Sequence, residues 1–523
     1  MPIRMVDDPE SKDQSDDNNN QGSNNGGGFS GGGGGGLLAF LPLLLSLFKG
    51  KRIFLLILLA GAAYFFFLRG NNSGVVTNIA QKLFSASGYN FSPQQFNKAS
   101  VYEGLEDDNN KNPLPEAVSL LKYAPKRGNQ GQQGSCVAWS SAYAAQTIAI
   151  AAATGENPDS IAFSPSYLYN QIRLDNCEGS YVQKAMETMQ ANGGVPLSEY
   201  PYSDHDCDRT PNSTEIKEGK QNSIHGFTRL TDGDNISEIS IRAIKEHLAK
   251  DAPVVIGMMV GNSFMQSMMG QDLWTPQADD DPSNGGGHAM CVIGYDDRKY
   301  GGAFQIMNSW GSEWGNNGIA WVRYSDFKNY VKEAYGVDPL PKLSEVANKP
   351  LECTIGLVNN DTKKYIPLKI SGSSFFETPD GITKGTRFKI EIKNATPCYI
   401  YLFGQETSGE SYVLFPYTGK HSPYCGITGY RLFPRAQSLM ADSIGNKDLM
   451  AIVVSKDSLD YNSLNNAINQ SSQSNYAAKV YDALQNVINS SVQFTNTGDG
   501  TIYFKAASND KKVVASIVAI DKQ

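Results

Sequence analysis

Cys136 stands where a glycine-broken polar stretch, NQGQQGS at 129–135, meets an alanine-rich apolar one, VAWSSAYAAQTIAIAAA at 137–153. The second stretch predicts a buried helix, because alanine loses little entropy in a helix and the run has no broad polar face. Cys136 then falls in its first turn. A helix N-terminus favours an anion, so it favours thiolate over thiol, and a nearby cationic imidazole would favour it further. The chemistry on offer is nucleophilic attack, with the backbone amide of Cys136 available to a developing oxyanion. Gln130, six residues upstream, adds a side-chain N–H donor. Far downstream, NGGGHAMCVIGYDD at 284–297 places His288 at the start of an apolar strand pattern. Next, FQIMNSWGSEWGNNGIAWVRY at 304–324 gives a short strand, Asn308, Trp310 in a glycine-rich bend, and a second strand. Taken singly, these residues read as a core cysteine, an ordinary histidine, a turn asparagine and core aromatics. It is the set that points to catalysis.

Three motifs carry a resemblance. QGQQGSCVAWS at 130–140, HAMCVIGYDD at 288–297 and NSWGSEWGNNG at 308–318 resemble, in order, the nucleophile, histidine and asparagine motifs of the papain-like cysteine peptidases. LPEAVSLLKYAP at 114–125 resembles the start of the mature enzyme, and the likeness spans roughly 113–335. It implies Cys136 as nucleophile, His288 as general base and then acid, Asn308 orienting the imidazole, Gln130 in the oxyanion hole, and Trp310 shielding the Asn308–His288 bond from water. It needs no cofactor and no metal. It implies an α+β fold of two lobes, a helical one carrying Cys136 and a β-rich one carrying His288 and Asn308, meeting at a cleft that binds a peptide or protein substrate. Where the family often has a bridged cysteine three residues before the nucleophile, this chain has Gln133. The region from Cys177 to Cys207 resembles the family's C-x-G-G…Y-P-Y…C stretch. A 177–207 disulfide is one reading and two buried thiols the other. Gly179 is kept, but the second glycine is Ser180, whose backbone is expected to pair with a substrate strand. Residues 257–274 are rich in methionine and read as core plus one cleft wall. Asp204 and His205 read as solvated.

Composition narrows the rest. The 523 residues carry 45 basic and 53 acidic side chains, a formal net charge of -8, and no dense basic tract, which argues against a nucleic-acid partner. Five scattered histidines and the lack of any CxxC pair argue against a metal centre. Residues 1–36, nearly free of apolar side chains from position 8 onward, read as a flexible tail. Two apolar runs, 37–48 and 53–68, predict a membrane anchor over 37–69. The second has 16 residues, which as a helix would span ~24 Å of a ~30 Å hydrocarbon core. Lys49, Lys51 and Arg52 before it, against Arg69 after it, favour a single pass with a cytoplasmic N-terminus. The catalytic domain would then face the periplasm or exterior of a bacterial cell membrane. Residues 70–112 read as a linker or short pro-region that could block the cleft until cut, followed by a peptidase domain over 113–345.

Beyond 345 the pattern changes to short strands separated by turns, predicting an antiparallel β-sandwich over 346–523 with one helix at 475–488. Residues 381–460 resemble a bacterial domain of unassigned function found in exported proteins, which identifies no ligand; with no convergent polar constellation in the sequence, the domain reads as binding or positioning a partner rather than as a second catalytic site. Cys398 and Cys425 are open as a pair. The sequence thus predicts a membrane-anchored cysteine endopeptidase. A peptide ligase or transamidase and a non-catalytic peptide-binding module are the alternatives.

Overall fold

The structure is a computed structural model that describes residues 3–8, 88–231, 236–283, 285–341, 349–506 and 511–523. The expected anchor at 37–69 lies outside these residues. So does most of the expected tail, but not its start. Ile3–Asp7 form a strand, β1, that pairs antiparallel with residues 437–441 near the other end of the chain. The reason is packing: Ile3 is fully buried in the C-terminal core, and Asp8 is tied to Lys389 at 2.8 Å. The flexible tail expected over 1–36 therefore does not begin at residue 1.

The alanine-rich run is one continuous helix, α1 (Cys136–Thr154), ended by Gly155 in the left-handed conformation (φ 78°) that glycine adopts without cost. Its middle, Trp139–Gln146, is wound as a π-helix, a widening often found beside functional sites. The helix is long and apolar enough to cross a membrane, yet 89% of it is buried inside the protein, as a core helix should be. Around it pack α2 (Pro165–Ile172), whose N-cap Ser164 accepts from the Tyr167 amide, and α3 (Val182–Asn192). These make the helical lobe.

The second lobe is a seven-stranded antiparallel sheet. After α4 (Glu238–Leu248) come β2 (Val254–Val260), β3 (Gly286–Asp296), β4 (Ala303–Met307), β5 (Ile319–Arg323) and β6 (Val331–Val337). β2 lies between β6 and β3, and β3–β4–β5 continue in order; Phe227–Arg229 pairs with β6 and Ala117–Ser119 with β3. One apolar core joins this sheet to α1.

Residues 351–523 form a sandwich, as the strand spacing predicts. Its first sheet has β7 (Leu351–Asn359) beside β8 (Arg387–Asn394), and its second has β9 (Cys398–Gln405). β10 (Gly429–Phe433) and β11 (Gln437–Ala441) pair with β8. β12 (Lys447–Ser455) pairs with β9, β13 (Ile502–Ala506) with β7, and β14 (Val513–Asp521) with β12. β1 joins the first sheet beyond β11. Alternation along β9 sends Ile400 and Leu402 into the sandwich core and Tyr401 and Phe403 to the outer face. Two helices cover that outer face, α5 (Tyr461–Gln470) and α6 (Tyr476–Leu484), where one was expected. One pairing, Phe375–Glu377 with β14, is parallel, so the domain is not wholly antiparallel. Cys398 and Cys425 are register partners across neighbouring strands but are not bonded.

Candidate active site

The helix start and the β-rich lobe bring the expected residues together. Cys136 is the first residue of α1, fully buried, and the Ala289 amide donates to its Sγ at 3.4 Å. His288 is the third residue of β3, opposite Met258 of β2. Its Nε2 lies 2.7 Å from Asn308 Oδ1, and Asn308 follows directly on β4. The Trp310 ring stacks on the imidazole, centroids 4.2 Å apart and planes 26° apart. Trp314 and Phe264 pack edge-on or tilted behind Trp310.

Gln130 is equally buried. Its Nε2 donates to the Gln133 carbonyl at 3.0 Å, and its Oε1 accepts from the Ser309 hydroxyl at 2.7 Å. Ser309 was not singled out from the sequence. It ties two loops together, because its amide also donates to Asn308 Oδ1 at 2.7 Å and its carbonyl accepts from the Gln130 amide at 2.8 Å. Its position inside the NSWG stretch is the signal that could have found it. Tyr202 is a second such residue: its hydroxyl lies 2.7 Å from both Ser135 Oγ and the Gln130 carbonyl.

The loop that carries Gly179 and Ser180 is held by a disulfide between Cys177 and Cys207, Cα atoms 6.2 Å apart. Of the two readings of these cysteines, the bonded one is observed. Gly179 has φ +97°, a conformation that favours glycine. His205 is exposed, 3.2 Å from Asp204, whereas Asp204 is half-buried and accepts from the Gln132 amide at 3.3 Å, against the loop that carries Gln130.

The cleft is filled. Residues 88–90 pass between its walls: Ser180 N donates to the Gly88 carbonyl at 2.9 Å and Asn90 N to the Ser180 carbonyl at 3.0 Å. On the opposite wall Tyr89 N donates to the Gly287 carbonyl at 3.2 Å, next to His288. Ser180 thus pairs through its backbone with this chain, in parallel register. The Tyr89 ring is buried where a Cβ on Gly257 would come within 2.1 Å of it, so Gly257 is what makes room. Its hydroxyl faces the Glu333 carboxylate, which accepts from Tyr335 at 2.7 Å.

This filling sets the electrostatics. Burial pushes the Cys136 thiol up to about 12, opposed by the amides of Ala289, Val137 and Cys136. Burial likewise raises the Glu333 carboxyl to about 7, opposed by the Tyr335 and Tyr89 hydroxyls. In this state Cys136 is a neutral thiol, and the geometry is that of an assembled but covered site.

Residues 121–337 match the family model described as papain family cysteine protease. The chain is 29% identical to mouse cathepsin K over 211 residues, 40% of this chain and 59% of that protein. It is 28% identical over 229 residues to an uncharacterized peptidase C1-like protein of Acanthamoeba polyphaga mimivirus, covering 42% of this chain and 69% of the viral one. It thus spans little more than half the length of the cathepsin. Among solved structures, xylellain, a cysteine protease from Xylella fastidiosa, aligns with TM-score 0.41 and 22% identity over 49% of this chain and 97% of that one. Digestive procathepsin L 3 of Tenebrio molitor aligns with TM-score 0.36 and 18% identity over 49% and 78%. Over residues 121–337 the chain is thus similar to the papain family of cysteine proteases.

Proposed function

We propose that the chain is a cysteine endopeptidase held in a latent state by its own residues 88–90. One observation carries this reading: Cys136, His288, Asn308 and Gln130 meet at a single site, and Gly88–Asn90 lies across it. Asn308 holds His288 Nε2, so proton exchange with the thiol falls to Nδ1. Once the blocking strand leaves, water enters and the burial that keeps Cys136 neutral is relieved. The helix N-terminus and the imidazolium then favour the thiolate. The thiolate attacks a peptide carbonyl, forming a C–S bond. The oxyanion is met by the Cys136 amide and the Gln130 side chain. His288 gives its proton to the leaving amine, and water, deprotonated by His288, hydrolyses the thioester.

The apolar runs at 37–48 and 53–68 support attachment to a membrane, and the Cys177–Cys207 disulfide supports an oxidising compartment for the folded unit. The test is hydrolysis of a mixed peptide substrate library by three full-length proteins. Wild type is expected to be slow. Tyr89→Ala is expected to cleave at least about tenfold faster, since it removes the buried ring that anchors the strand in the cleft. Tyr89→Ala with Cys136→Ala is expected to be silent. Cleavage by that double variant would overturn the assignment.

A further inference from the structure

The role of the sandwich is not explained by the peptidase chemistry. Its contacts with residues 100–112 supply one. In the cleft, the blocking strand has three backbone hydrogen bonds, one buried ring and a bond from Asn90 Nδ2 to the Glu178 carbonyl at 3.2 Å, which is a slender hold for a peptide alone. Ten residues later the same segment is gripped from two sides. Toward the peptidase lobe, Arg229 N donates to the Ser100 carbonyl at 2.8 Å and Tyr102 N to the Arg229 carbonyl at 2.9 Å. Toward the sandwich, Val101 N donates to the Lys420 carbonyl at 2.6 Å and Ser422 N to the Val101 carbonyl at 3.0 Å.

The grip on the sandwich then continues along β10. Glu106 N donates to the Tyr430 carbonyl at 2.8 Å. The Asn112 side chain completes both backbone groups of Tyr430, donating at 3.0 Å and accepting at 2.9 Å. Arg431, fully buried, donates to the Glu103 carbonyl at 2.9 Å, and Lys111 pairs with Glu391 of β8. Gly429 fits here because a Cβ would strike Asn112 and Leu105.

We propose that the C-terminal sandwich is a receptor for residues 101–112 of its own chain, and that this docking keeps residues 88–90 in the cleft. The proposal rests on the latency reading above. The physical basis is effective concentration. A strand tied to a docked segment a few residues away sees its cleft at roughly millimolar concentration, so a weak local hold becomes a high occupancy. Loosening the dock should therefore open a cleft whose own contacts are untouched.

The experiment uses the full-length chain and the rate at which a peptidyl vinyl sulfone alkylates Cys136. Lys111→Ala with Asn112→Ala removes the side chains that reach β8 and β10 and alters nothing in the cleft. It is expected to speed alkylation about tenfold, the effect of losing two side-chain contacts. Hydrogen exchange in β12 and β14 should stay at wild-type rates, showing an intact sandwich. Tyr89→Ala is the reference for an opened cleft. If Tyr89→Ala is fast and the double variant stays at the wild-type rate, the receptor role is overturned while latency stands. If wild type already reacts as fast as Tyr89→Ala, latency itself falls and the receptor role with it. Should exchange show that the double variant loosens the sandwich, the wild-type chain with a millimolar synthetic peptide of residues 99–112 decides. Faster alkylation than with a scrambled peptide supports the proposal, and an unchanged rate overturns it.

Discussion

At the scale of single residues, Cys136, His288, Asn308, Gln130 and Trp310 were legible because each is a reactive or shielding group inside a short local motif. Ser309, Tyr89 and Glu333 were not, because what they do depends on partners far away in the chain. Asn308→Ala should lower kcat/KM of the opened enzyme by about one to two orders of magnitude, read by steady-state kinetics, because His288 loses its orienting partner. The acids around the blocking segment make latency depend on pH. Burial raises Glu333 and Glu103 to about 7 from 4.5. Glu103 is opposed by Arg435 and Arg431, and Glu333 by Tyr335, Tyr89 and Arg229. A carboxyl raised in the docked state stabilises that state fully below its ordinary value and loses this as pH rises through about 7. His247, edge-on to Tyr102 and lowered to about 4 by burial, acts oppositely, weakening the docked state as pH falls from 6.5 toward 4. Burial also raises Glu106 to about 7 and raises Glu246, which accepts from Tyr102 and Leu105; with four acids against one imidazole, Cys136 in the full-length chain should open to alkylation faster at pH 8 than at pH 6, beyond the rise measured for Tyr89→Ala. An equal pH dependence in both proteins would show that these acids do not govern docking.

At the scale of elements, the helix after Cys136 and the strands around His288 and Asn308 follow from alanine content and apolar patterning. α5 escaped notice because YNSLNNAINQ is mostly polar. Its helix rests on the Asp460 cap and on Leu464 and Ile468, four apart, facing the outer sheet. The loop of Gly179 and Ser180 depends on its disulfide. Replacing Cys177 and Cys207 by serine should cost roughly 3 kcal/mol, since the bridge closes a separation of 30 residues, and should loosen the cleft wall. Chemical denaturation measures the first effect, and KM of the Tyr89→Ala enzyme the second. Gly257→Ala should act in the other direction on latency. Its Cβ would meet the Tyr89 ring at 2.1 Å, so the strand should be expelled and Cys136 alkylation should rise without any change outside the cleft.

At the scale of the whole molecule, the sandwich and the two-lobed domain could both be read from the sequence, but their union through residues 88–112 could not. Apart from the short helix Pro93–Phe96 capped by Ser92, that segment takes its order from the surfaces that it lies between. The same holds for β1, five residues with one buried side chain, Ile3, whose strand exists only because β11 offers an edge. This small feature governs how the chain can be threaded and made. Asp7 and Gln437 are 430 positions apart, so β1 waits for β11 to be made before this edge of the sheet can close. Both must also reach the same side of any bilayer. The single pass expected from the charge bias would place β1 on the far side of the bilayer from β11, so it does not fit this pairing. A thiol placed at Arg4 and another at Ser443 should thus meet a membrane-impermeant maleimide from the same face of sealed vesicles, and labelling from opposite faces would mean that the first strand is shared in some other way.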